Sequence, residues 1–149
     1  MLAPNCQAYD IEDGNAQFLE QIDDETYDFV YSSHTLEHMP DPATALVNWW
    51  RVVKPCGFLI LYIPHRDLYE KKSTLPSNWN LGHRTFFLPE RDEPPDTVGI
   101  LPLISKTLSD FILVYSKVCS EGHTISDPDI HSDGEYSIEI VLQKAAGGR

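Results

Sequence analysis

Six histidines and a surplus of carboxylates carry most of the chemistry available to this 149-residue chain. His34-Thr35-Leu36-Glu37-His38 has the spacing H-x-x-E-H. On a continuous helix, with a further carboxylate downstream, that spacing chelates zinc and activates a water molecule. The neighbouring residues deny it such a helix: an apolar, β-prone run ends at Ser33, and Pro40 breaks the chain just after His38. His123, Asp127, Asp129, His131 and Asp133 also have ligand-type side chains, but they sit in an acidic connection whose composition solvation alone explains. No metal site is assigned from the sequence. An imidazole titrating near neutrality can instead take a proton from a hydroxyl or amine, which makes His38 and His65 the candidate catalytic bases. His83 and Arg84 are candidates to meet an anionic substrate, with a surface ion pair as their structural role.

The elements that position these groups run from Tyr27 to Pro64. Asp28-Phe29-Val30-Tyr31, ending in Ser32-Ser33, is short, bulky and β-prone, as expected for a strand covered on both faces. Asp41 is placed as an N-cap and Pro42 at the first helical position, where a missing N–H does no harm. Leu46, Val47, Trp50 and Val53 recur at helical spacing on one face, and both Trp49 and Trp50 are expected to pack rather than to stack on a ligand. Lys54-Pro55-Cys56-Gly57 stops the helix before the apolar run Phe58 to Ile63. Strand, short crossover and strand predict a parallel βαβ unit, and His38 and His65 fall at its carboxyl edge, where open α/β sheets bind ligands.

Beyond Pro64 lies an insertion rich in aromatics, prolines and charges, with a helical turn over Asp67 to Lys72 and a denser patch from Trp79 to Phe87. Leu101 to Leu108 reads as a short helix starting near Pro102. Phe111 to Val118 and Tyr136 to Leu142 read as the last two strands, joined by a long polar hairpin, and Ala145 to Arg149 is expected to fray.

The run Tyr27 to His38, then Pro40-Asp41-Pro42, then Arg51-Val52-Val53-Lys54-Pro55-Cys56-Gly57, resembles the fourth strand, following helix and fifth strand of class I S-adenosylmethionine-dependent methyltransferases. The likeness is greatest to the broad small-molecule group, type 11-like, with F-D-x-V-x-S-x-x-x-L-E-H and R-V-L-K-P-G-G patterns. Cys56 replaces the first glycine of the second pattern. Asp13-Gly14-Asn15-Ala16 resembles the G-D-A turn after the third strand, with Asn15 in the place of the acidic residue that reads the adenine amino group. The resemblance implies an α/β, Rossmann-like fold with a mainly parallel sheet, an antiparallel last strand and helices on its faces. It also implies S-adenosylmethionine as cofactor, contacted by Asp13, Gly14, Asn15, Ala16, Ser32, Ser33 and His34, and a small-molecule methyl acceptor contacted by the segment after Pro64. The family's glycine-rich turn after the first strand and the acidic residue closing the second have no counterpart here, and no Gly-x-Gly occurs in the sequence. The chain therefore reads as one N-terminally incomplete domain over 1–149, with weak or absent cofactor binding of its own. Its exposed strand edge would be completed by a second copy, a partner chain, or its own segment Gln7 to Asp10. The alternative reading is a non-catalytic dimeric interaction protein on a methyltransferase scaffold.

Composition narrows the classes further. A chain of this length with 42% hydrophobic residues can bury a core of its own. Eleven Lys and Arg against 23 acids, a formal charge of -12, oppose binding to a phosphate backbone, which excludes nucleic acid as the expected substrate. Three scattered cysteines point to reduced thiols, and no apolar stretch is long enough for a membrane span or a signal peptide, so a cytoplasmic location is expected.

Overall fold

The computed structural model describes residues 5–147. Strand β1 (Tyr27–Ser33) leads through a single 3-10 turn at Leu36–His38 into helix α1 (Pro42–Arg51), and strand β2 (Val53–Pro64) returns beside β1 in parallel, with Val30 opposite Leu59 and Ser32 opposite Leu61. The helix begins where the sequence places it, because the Asp41 carboxylate accepts from the backbone N–H groups of Ala43 and Thr44.

A π-helical turn (Arg66–Glu70) follows β2, and two short parallel strands, β3 (Phe86–Leu88) and β4 (Thr97–Gly99), form a small separate sheet. Helix α2 (Ile100–Thr107) then leads to strands β5 (Phe111–Cys119) and β6 (Ser137–Lys144). The main sheet has the order β1-β2-β6-β5, with β6 antiparallel to both of its neighbours. It inserts between β2 and β5, so the closing hairpin ends inside the sheet rather than at its rim.

Period-two alternation puts Leu59, Leu61 and Ile63 of β2 and Ile138, Ile140 and Leu142 of β6 on one face, where they bury against Leu46, Trp49, Trp50, Ile100 and Ile104 of the two helices. The other face lacks such a layer among the described residues. Phe29 and Tyr31 are 41% and 58% exposed, and Ile112 and Tyr115 of β5, opposite Gln143 and Val141 on that face, are exposed too. The expectation of a first strand covered on both faces, with helices on both sides of the sheet, is therefore corrected: both helices pack on one side. The helix stripe shifts as well. Val47 is exposed and Trp49 is buried in its place, its indole N–H donating to the carbonyl of Ala16, while Val53 opens β2 rather than closing α1. Residues 145–147 do not all fray, since the N–H of Ala145 donates to the carbonyl of Asp110; residues 148 and 149 lie outside the described range.

Lys54 to Gly57, expected ahead of the strand, instead forms an irregular bulge within β2, between the pairs Tyr27–Val53 and Phe29–Phe58, and it shows what the missing glycine would have done. Cys56 has φ +65°, in the left-handed region where glycine carries no Cβ penalty. Gly57 is irreplaceable for another reason: a Cβ there would lie 2.6 Å from the carbonyl oxygen of Asp28 and 2.8 Å from that of Lys54.

Candidate functional site

Two features adjoin β1, one along its length and one at its carboxyl end. The first is an open groove of about 560 Å³ along the outer edge of that strand, lined among others by Tyr9, Ala16, Leu19, Ser32, Thr35 and Trp49. Ser32 is buried and its hydroxyl has no hydrogen-bond partner, so one polar group on the groove wall awaits an acceptor or donor. Of the residues expected to contact the cofactor, Ala16 and Ser32 line this groove and Asp13, Gly14, Asn15, Ser33 and His34 do not. Asn15 is spent locally, its side-chain oxygen accepting from the N–H of Gln17, and Asp13 accepts from the N–H of Asp10. Gln7 to Asp10 forms no strand with β1, although the Gln7 side chain bonds the hydroxyl of Tyr27; β1 pairs only with β2 among the described residues.

The second feature is a histidine and glutamate cluster built from three distant segments. His34 sits at φ +48° directly after β1, the 3-10 turn points Glu37 inward, and the loop before β3 brings in His83. Glu37 is 1% exposed and neither of its carboxylate oxygens has a hydrogen-bond partner. Its Oε1 lies 3.7 Å from His38 Nε2, 3.8 Å from His83 Nε2 and 3.8 Å from His34 Nδ1. Burial pushes the Glu37 carboxyl up to about 7. It pushes His34 and His38 down, and the neighbouring His83 adds to both shifts.

The outer ring nitrogens are also held. His83 Nδ1 is hydrogen-bonded to the buried carboxylate of Glu70, and His34 Nε2 lies 3.2 Å from the hydroxyl of Ser137. His38 Nδ1 sits against the backbone of Gly82, where a Cβ would come within 2.9 Å of it. Tyr69 packs on His83 with ring centroids 5.5 Å apart, and burial raises its phenol to about 12. Glu70 left no mark in the sequence, because its partner comes from a loop thirteen residues on.

The remaining candidates fall as follows. His65 stands half-buried at the carboxyl end of β2, and its Nδ1 accepts from the N–H of Asp67 at 3.1 Å, capping the π-helical turn. His83 is buried in the cluster rather than paired at the surface, whereas Arg84 is exposed and has no ion-pair partner among the described residues. His131 packs against Trp79 and Tyr69, and Asp133 accepts from Thr124 and Ile125, so the acidic hairpin residues serve local structure. No helix among the described residues is long and apolar enough to cross a membrane.

The family model described as a methyltransferase domain matches residues 2–61. No curated protein matches the sequence. Among solved structures, a SAM-dependent methyltransferase from Thermotoga maritima superposes with a TM-score of 0.54 at 21% identity, over 88% of this chain and 62% of that one. The cyclase SpnF gives a TM-score of 0.57 at 16% identity, over 89% of this chain and 54% of its own. The protein solved with the Haloferax volcanii Trm112 methyltransferase activator gives 0.58 at 12% identity, over 91% of this chain and 61% of its own. The chain thus has the class I methyltransferase fold and spans less than two thirds of the length of each of these three.

Proposed function

We propose that the chain serves S-adenosylmethionine-dependent methyl transfer to a small-molecule acceptor, with the groove along β1 as the cofactor side and the carboxyl ends of β1 and β2 as the acceptor side. The observation that carries this reading is the groove itself. It is large enough for a nucleoside-sized ligand, is lined by the expected Ala16 and Ser32, and presents the orphaned Ser32 hydroxyl. When bound, the cofactor supplies an electrophilic methyl group. The chain's own contribution is alignment of the reactants. His65 is suited to orienting an acceptor: Nδ1 takes the Asp67 N–H, so the neutral ring carries its proton on Nε2 and donates from there. Burial holds its pKa below the ordinary value, which keeps that form at neutral pH. Arg84, exposed beside the cluster, would meet an anionic group on the acceptor.

Cofactor binding by these 149 residues alone is expected to be weak, in the range of a millimolar dissociation constant or about 4 kcal/mol, because only part of the groove's ligand set is present. Titrating isotope-labelled protein with millimolar S-adenosylhomocysteine should shift the amide resonances of Ala16, Ser32 and Thr35. Shifts confined to other regions, or none at all, would refute the assignment of the groove. His65→Ala should reduce turnover in an active assembly more than cofactor affinity.

A second reading, a non-catalytic and dimeric cytoplasmic interaction protein, draws support from the exposed Phe29 and Tyr31 beside the unpaired outer edge of β1. The Haloferax neighbour was solved in complex with an activator, and a partner chain is accordingly a second candidate occupant for this edge.

A further inference from the structure

We propose that Glu37, His38 and His83 form a binding site for one divalent transition-metal ion of the zinc class, with its fourth position open toward His34. The ligand atoms of these three residues all lie within 4.8 Å of one another. Zinc bonds of 2.0–2.1 Å in a tetrahedron would require edges of about 3.3 Å between donor atoms. The Glu37 Oε1 distances of 3.7 and 3.8 Å to the two imidazoles come within half an ångström of that, and the third edge, His38 to His83, lies within 4.8 Å, so the side chains must rotate to close on the ion.

Glu37 supplies a second, independent argument. A carboxylate 1% exposed with both oxygens unpartnered is costly unless something positive meets it, and it points into the cluster. A divalent ion at this point neutralises Glu37 and also compensates the buried Glu70 behind His83. The outer contacts match what metal-bound imidazoles require. Glu70 at Nδ1 of His83 fixes the tautomer that leaves the Nε2 lone pair facing Glu37, the carboxylate–histidine–metal relay in which the carboxylate orients the ring and raises its basicity. The Nδ1 side of the His38 ring packs against Gly82, and its Nε2 faces Glu37. Two imidazoles and one carboxylate favour zinc, cobalt, nickel or iron over magnesium or calcium, which prefer all-oxygen shells.

This site is not the helical arrangement normally associated with H-x-x-E-H. His34 and His38 flank a 3-10 turn instead of sharing a helix face, and the second imidazole comes from His83, 45 residues downstream of His38 (83 − 38). The proposal rests on the cluster's own geometry: none of the three ligands lines the groove, and the cluster lies at the carboxyl end of β1, on the side assigned to the acceptor.

The test uses the full chain, stripped with chelator and titrated with Co(II) and Zn(II). One equivalent of Co(II) should bind with visible absorption of tetrahedral or five-coordinate intensity, be displaced by Zn(II), and broaden the ring resonances of His38, His83 and the adjacent His34 above those of His65, His123 and His131. Glu37→Gln and His38→Ala should each weaken the site at least 100-fold, Glu70→Gln should weaken it about 10- to 100-fold, and His123→Ala should leave it unchanged. Absence of stoichiometric uptake by the unsubstituted protein would overturn the proposal whatever the variants do. So would broadening centred on histidines other than His34, His38 and His83, or affinity unaffected by Glu37→Gln and His38→Ala.

Discussion

His83 Nδ1 is hydrogen-bonded to the carboxylate of Glu70, and both side chains are almost wholly withdrawn from water, at 6% and 1% exposure. The pair ties the loop before β3 to the turn after β2. Removing Glu70 leaves the Nδ1–H of His83 buried and unmatched, so Glu70→Ala should cost about 2–3 kcal/mol. Glu70→Gln keeps an acceptor in place and should cost about 1 kcal/mol. Urea unfolding midpoints of the two variants check this, and equal, small losses would mean that the pair contributes little to stability.

The strained turn before the apolar half of β2 gives an expectation of opposite sign. Cys56 holds a left-handed conformation that costs a non-glycine residue about 1 kcal/mol, so Cys56→Gly should be neutral to stabilising by up to about that amount, or roughly 3 °C in melting temperature. The neighbouring Gly57→Ala must push a methyl into the carbonyls of Asp28 and Lys54 and should lose at least about 2 kcal/mol. Calorimetry of both variants separates the two roles: if Cys56→Gly were as damaging as Gly57→Ala, the turn would need its Cβ for packing.

The first of these cases is invisible in the sequence, and the second is legible in it as a cysteine where a glycine is expected. The helix start at Asp41-Pro42, the parallel β1–β2 pair and the antiparallel hairpin closing on β6 follow from local capping, strand propensity and short connections, and the structure has all three. The covering of β1 is not legible in the sequence, because a run such as Phe29-Val30-Tyr31 is apolar whether or not a second layer exists, and only tertiary packing decides which alternate residues face water. Trp49 replaced Val47 on the buried stripe because the Ala16 carbonyl accepts its indole N–H, a contact between segments 33 residues apart. The Glu37, His38 and His83 cluster was half visible in H-x-x-E-H. Its third member lies across a long insertion, and no local pattern ties His83 to Glu37 or to Glu70.

In the long hairpin, Asp133 accepts from the Thr124 hydroxyl and from the backbone N–H groups of Thr124 and Ile125. These bonds hold its carboxyl well below the usual aspartate range. For a group whose folded pKa is depressed, the contribution is fully present above the unfolded value, about 3.9, and is lost as pH falls through the folded one. The carboxyl resonance of Asp133 should therefore titrate with a midpoint below about 3.9, and exchange protection of the Thr124 amide should fade over the same acidic range. In Asp133→Asn that pH dependence should vanish. An ordinary aspartate midpoint would show that the hairpin bonds are too loose in solution to stabilise the charged form.

The outer edge of β1 carries the last expectation. Its backbone N–H and C=O groups on that side meet no strand among the described residues, and Phe29 and Tyr31 stand exposed beside them. Such an edge invites pairing with another strand, and a two-fold arrangement of identical chains satisfies the same patch twice. Light scattering at micromolar concentration should thus give the mass of a dimer. Tyr31→Lys, which places a charge on the edge, should shift the equilibrium at least tenfold toward monomer without changing the circular dichroism spectrum. A monodisperse, cooperatively melting monomer in the unsubstituted protein would mean that the chain covers this edge itself, and the interaction-protein reading would lose its support.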